Sequence, residues 1–159
     1  MISIRKVIAM YSNDEADSID FAIYLNEKAK QKEKHINMTK IHKWLYICYG
    51  LYLALYQKPL LDELPQAWDY GPVFPRVHNK QKKNANSLDG LARSKQFRSC
   101  EEYDEVIDAT LGHFGDWTAS ELVAWTHEKG KAWDKKYNSA RYEAMDNFEV
   151  YMDFMSYVK

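Results

Sequence analysis

The stretch from Lys40 to about Tyr56 constrains this chain most, because it reads as a helix that is apolar almost all the way round. Ile41, Leu45, Cys48, Tyr52 and Leu55 recur at helical spacing along one face, while Trp44, Ile47, Leu51 and Leu53 fill most of the rest. A helix without a polar face has to be packed on several sides, so it belongs at the centre of the domain. Thr39 stands where an N-cap is expected, and Gln57-Lys58-Pro59 ends the run. Lys43 is the odd member, a charge near the start of a helix expected to be buried. It either snorkels to solvent along its aliphatic stem or pairs with a carboxylate or with carbonyls near Gly71.

The second constraint is Ala67-Trp68-Asp69-Tyr70-Gly71-Pro72-Val73. Gly71 offers backbone freedom, and a residue before proline is pushed out of the helical region. The stretch reads as a short extended segment ending in a hard turn, with Trp68 and Tyr70 on one side. Pro72 would then open a new helix, since its missing N–H needs no partner there. A packed connector between two helices accounts for the same residues.

The remaining helices are read from period and caps. Helical apolar spacing starts near Ser18 and runs to Ala29, with Asp14 and Asp17 at the positive end of the helix dipole and the lysine-rich run Lys28 to Lys34 at its negative end. Tyr103 to Phe114 is a helix closed by Gly112 and Gly115. Thr118 and Glu121 form a capping box for a helix over Glu121 to Glu128. A last helix over about Ala144 to Tyr157 puts Phe148, Met152 and Met155 on one face. Val7 to Tyr11 reads as either a short strand or a helix start. Residues 79–100 have no steady period and read as a long loop, with a small hairpin at Asp89-Gly90 as an option. The expected fold is therefore mainly α, a compact helical domain around 40–56 with a small β segment or hairpin.

Composition narrows the class. The 159 residues suit a single domain, and 46% hydrophobic with 28% charged residues describes neither a disordered tail nor a membrane protein. No secretory leader and no apolar run of membrane-spanning length is read, and Cys48 and Cys100 lie far apart in unlike contexts. A cytoplasmic protein in a reducing compartment is expected. A net charge of −1 gives the whole molecule no pull toward nucleic acid. Basic residues nevertheless cluster as Lys80, Lys82, Lys83, Arg93, Lys95 and Arg98. This cluster reads as a solvated loop or as a partner-binding rim. Only Phe97 interleaves with it, whereas single-strand binders need stacking platforms.

No phosphate loop, nucleophile elbow or helical pair of zinc histidines is present, so neither a cofactor nor catalysis is expected. His127 and His42 read as structural histidines before they read as ligands. Twelve Tyr and five Trp suit a protein whose work is contact, although a tyrosine-rich core would use the same rings.

Three motifs together resemble one family. Lys40-Ile41-His42-Lys43-Trp44-Leu45-Tyr46 is similar to a K-L-Q-K-L-L-Y helix opening, and Ala67 to Val73 is similar to A-W-x-Y-G-P-V. Thr126-His127-Glu128 with Trp133 downstream is similar to T-H-x-x-x-x-W. In this order they resemble the Panacea domain of SocA-like antitoxins and phage-associated GepA-like proteins, from about Asp20 to Tyr137. The chain departs from the pattern at His42, Trp44 and Lys131 and in its long lead-in, residues 1–19. The resemblance implies a mainly helical antitoxin that neutralises a toxin protein by direct binding. In one branch of the family it implies an adaptor that delivers the toxin to an ATP-dependent protease. Lys43, Tyr46, Trp68, Tyr70, Gly71, Pro72, Val73, His127 and Trp133 are the family-motif residues it carries over, expected to be mostly scaffold. Toxin-specific surface is then expected in the basic loop and the N-terminal segment. A promoter-binding regulator and a phage-encoded host-interaction protein are the competing classes.

Overall fold

The computed structural model describes residues 15–158 as a helical domain wrapped around one central helix. The reading of Val7 to Tyr11, and most of the lead-in 1–19, lie outside the described residues. Seven helices are found among them: α1 (Ser18–Gln31), α2 (Met38–Tyr56), α3 (Pro75–Lys82), α4 (Glu101–Phe114), α5 (Ala119–Thr126), α6 (Ala132–Ser139) and α7 (Asn147–Met155). The strands are β1 (Gln66–Trp68) and β2 (Gly71–Val73).

Helix α2 is central, as its apolar surface requires: α1, α4, α5, α7 and β2 all pack on it. Its cap is Asn37, whose side chain accepts from the Lys40 N–H at 2.9 Å, and not Thr39. Its C-terminus is closed by Gln57 in the left-handed region at φ 54°. The Gln57 N–H donates to Leu53 O and its side-chain amide to Ala54 O. Both bonds satisfy carbonyls that the helix end leaves open. Gly50 faces α7 so closely that a Cβ there would lie 2.2 Å from the Phe154 ring. The missing side chain is what lets α7 sit on α2.

The extended segment is a two-stranded antiparallel hairpin, with Gln66 opposite Val73, Ala67 opposite Pro72 and Trp68 opposite Gly71. Pro72 therefore lies in a strand and does not open a helix. The next proline does so: Pro75 is the first residue of α3, with Phe74 as its cap. Pro72 is tolerated in β2 because it sits at a position where no ladder bond is needed. Opposite it, Ala67 turns its N–H to Glu143 O and its carbonyl to the Tyr142 N–H, away from β2. The Ala67–Pro72 pair is the non-hydrogen-bonded kind, in which both residues' polar groups point outward from the hairpin.

The remaining differences from expectation are local. Residues 79–82 belong to α3, no strands pair at Asp89-Gly90, and Gly112 lies inside α4, which ends at Gly115. The capping box at Thr118 and Glu121 is present, with both bonds formed. Helix α6 had no periodic signal because only Ala132 and Trp133 of its eight residues are buried. On α7 the inward face is Val150, Tyr151 and Phe154, so Met152 and Met155 lie exposed on the opposite side.

Candidate functional site

The three motifs, widely separated in sequence, meet at Lys43. This side chain is 1% exposed, and its Nζ donates to the Pro72 carbonyl at 3.0 Å. The carbonyl is available because Pro72 occupies the outward-facing position of the hairpin. Of the two readings of Lys43, the structure selects the carbonyl near Gly71, not snorkelling. Gly71 has φ +108°, and a Cβ there would lie 2.6 Å from Thr126 Oγ1 and 2.7 Å from Lys43 Cε. The start of α2, the hairpin and the end of α5 therefore close on one another only around a residue without a side chain.

Just beyond, His127 is the C-cap of α5 through its backbone N–H. Its ring lies flat on Trp133, with centroids 3.7 Å apart and planes within 5°. Trp133 is stacked on its other neighbour Tyr137 at 4.5 Å and donates its indole N–H to Trp68 O at 2.8 Å. The buried His127 Nε2 has no hydrogen-bond partner among the described residues. Tyr46, one turn after Lys43, is buried with its ring edge-on to Phe154 at 5.6 Å.

Burial disfavours the charged form of each base in this region. The His42 Nδ1 accepts the Phe74 N–H at 3.2 Å, so Nε2 carries the proton and donates to Gln81 Oε1 at 2.8 Å. Both ring nitrogens are used, and burial pushes the imidazole down to about 3. Burial likewise pushes Lys43 down to about 7. His127 is lowered by burial and then by Lys43.

An unfolded lysine titrates near 10.5, so between about 7 and 10.5 the unfolded chain binds more protons than the folded one. Stability then rises with pH, by about 1 kcal/mol per pH unit for one such group. Urea unfolding between pH 7 and 9 is expected to show this rise, and Lys43→Met to flatten it. Above pH 9 the buried Cys48 and Tyr49, both pushed up by burial, begin to oppose it.

Beside this node the hairpin tip borders a pocket of about 270 Å³, lined in part by His42, Lys43, Trp68, Asp69, Tyr70 and Tyr142. Six of the nine family-motif residues are buried: Lys43, Tyr46, Gly71, Pro72, Val73 and Trp133. Trp68 and His127 are half-buried, and Tyr70 is 73% exposed. Asp69, Tyr137 and Tyr142 were not singled out in the sequence. Asp69 Oδ1 accepts the Tyr137 and Tyr142 hydroxyls at 2.6 and 2.8 Å, and these bonds hold its carboxyl below the usual range. Asp69 lies 68 and 73 positions from these partners, and no local pattern predicts such a contact.

The chain matches, over residues 41–134, the family described as "Antitoxin SocA-like, Panacea domain". It belongs to the Panacea-domain family. The Antitoxin SocA of Caulobacter vibrioides (strain NA1000 / CB15N) is 29% identical over 129 residues, which cover 74% of this chain and 69% of that protein. No solved structure matches. Lys43, Gly71, Pro72 and Thr126 all lie within the matched Panacea region, and α7, outside it, packs on α2.

The basic residues do not form one open field. Lys80 and Lys82 lie on α3 and Lys83 caps it, all exposed. Arg93 is paired with Glu27 at 3.2 Å and lies over the Tyr24 and Phe97 rings. Arg98 donates to the Lys95 and Phe97 carbonyls, and Lys95 is exposed. The segment that carries them is fastened to α1: Ser94 bonds Asp20 through both its N–H and its hydroxyl, and Asp89 takes Asn26 and Lys30. No helix among the described residues is long and apolar enough to cross a membrane.

Proposed function

We propose that this chain is the antitoxin of a toxin–antitoxin pair, acting in the cytoplasm by binding its cognate toxin protein directly and without catalysis. The observation that carries the reading is membership of the SocA-like Panacea family together with a relative named as an antitoxin. The geometry supports a contact role. The motif segment ends in a hairpin tip where Tyr70 is exposed, at a pocket that Tyr142 also lines. Exposed tyrosines on a rigid support make good anchors at interfaces, because they contribute large area at little entropic cost.

The test is recovery of partners on the tagged full-length chain from its native host, with the mass ratio measured. A stable pair near one to one, with a protein that arrests growth when expressed alone, is the expected result. Recovery together with an ATP-dependent protease, and a toxin whose half-life shortens when the chain is present, would replace occlusion by delivery. Nucleic acid as the main companion, released by moderate salt, would overturn the proposal in favour of a regulator.

A further inference from the structure

The pocket at the hairpin tip has walls of one chemistry and a mouth of another. Trp68 and Tyr142 form a corner, their ring planes at 74° and centroids 6.3 Å apart, and Tyr70 stands beside them. Among the described residues, Tyr70 has no hydrogen-bond, ion-pair or ring partner. Asp69 lines the same pocket, with a carboxylate kept ionised by two phenol donors, Tyr137 and Tyr142. No described cation forms a direct ion pair with it, and the nearby Arg141 charge adds only a minor lowering of the carboxyl. Arg141 lies nearby over the Tyr137 ring, 4.2 Å from its centroid, so the same pairing of cation and tyrosine already occurs next to the pocket.

The nitrogens lining the pocket do not compete for the position. His42 has both nitrogens occupied, and His78 is held below its ordinary value by burial. Lys43 is turned to the Pro72 carbonyl, and burial disfavours its charged form. Aromatic faces are electron-rich, and a carboxylate beside them adds direct attraction for a positive charge. An anionic group would meet the opposite field.

We propose that this pocket receives one basic side chain, arginine or lysine, from the partner protein, with Trp68, Tyr70 and Tyr142 around its stem and head and Asp69 as counter-charge. The assignment deepens the antitoxin reading and rests on it for the identity of the partner. It moves partner recognition from the basic segment to the hairpin that the family motif builds.

The test titrates blocked tripeptides, Gly-X-Gly with X as Arg, Lys, Leu or Glu, into the full chain at low salt. The Trp68 indole and Gly71 amide resonances report binding. Saturable shifts in the millimolar range are expected for Arg and Lys, at least tenfold weaker binding for Leu and Glu, and about a fivefold loss for Arg in Asp69→Asn. No saturable shift with Arg, binding of Leu as tight as Arg, or a preference for Glu would overturn the assignment. With a toxic partner in hand, Tyr70→Ala combined with Asp69→Asn is expected to abolish neutralisation while circular dichroism and the thermal midpoint stay close to those of the parent. Undiminished neutralisation by this variant would remove the pocket and leave the antitoxin reading standing. Selective Arg binding without any toxic partner would do the reverse.

Discussion

Gly71→Ala is expected to cost about 2–5 kcal/mol, the sum of backbone strain at a glycine-only conformation and of overpacking. Both terms are visible. The φ of +108° disfavours any side chain, and the new Cβ would meet Thr126 Oγ1 at 2.6 Å and Lys43 Cε at 2.7 Å. Neither neighbour can retreat freely. The Thr126 hydroxyl donates to Val123 O, and the Lys43 amine holds Pro72 O. For a chain of this length the thermal midpoint should fall by roughly 10 °C. The double variant Gly71→Ala/Thr126→Ala should recover part of the loss, because it removes one of the two contacts but not the strain. A loss in Gly71→Ala below about 1 kcal/mol would mean that the three motifs do not close on this residue as described.

Trp133→Ala is expected to cost about 3–5 kcal/mol, as a large buried ring replaced by a methyl group usually does. Trp133 is nearly fully buried and sandwiched between His127 and Tyr137. Its loss should loosen α6, which buries little else, and free the hairpin at Trp68 O. Trp133→Phe separates the two contributions: most of the stacking survives, and the missing indole donor should cost about 1–2 kcal/mol. Chemical denaturation measures both. Equal losses in the two variants would show that the hydrogen bond, not the packing, carries the effect. Trp68→Ala should cost less than Trp133→Ala, because Trp68 is only half-buried and forms a pocket wall.

The central helix was legible because nothing but burial explains a helix apolar on every side, and the capping box was legible because its two residues are local. The cap of α2 was misread by two positions, since Asn37 and Thr39 are both competent and only the bond to the Lys40 N–H chooses between them. Pro72 meets the sequence rule for a helix-opening proline, yet Pro75 opens the helix. What made Pro72 a strand residue is the 142–143 segment, which takes the outward groups of Ala67 from far along the chain.

Helix α7 shows a harder limit. Its stripe Phe148, Met152 and Met155 is as apolar as the inward face of Val150, Tyr151 and Phe154, so periodicity alone cannot orient it. The hole above Gly50 does, by accepting Phe154. At the candidate site the motif residues were legible as a set, and their meeting at Lys43 was not. The Asp69–Tyr137–Tyr142 contacts left no local trace in the sequence. Tyr142 lies at φ +70°, a conformation uncommon for a tyrosine, and this too becomes visible only once the backbone is known.

The antitoxin role is tested most simply by growth of a strain expressing the recovered partner, with and without this chain expressed beside it. Arrest by the partner alone and restored growth with the chain are expected. Restored growth should fail for the combined Tyr70→Ala and Asp69→Asn variant at equal protein level. A partner that is harmless alone, or one whose toxicity the intact chain leaves untouched, would contradict that role.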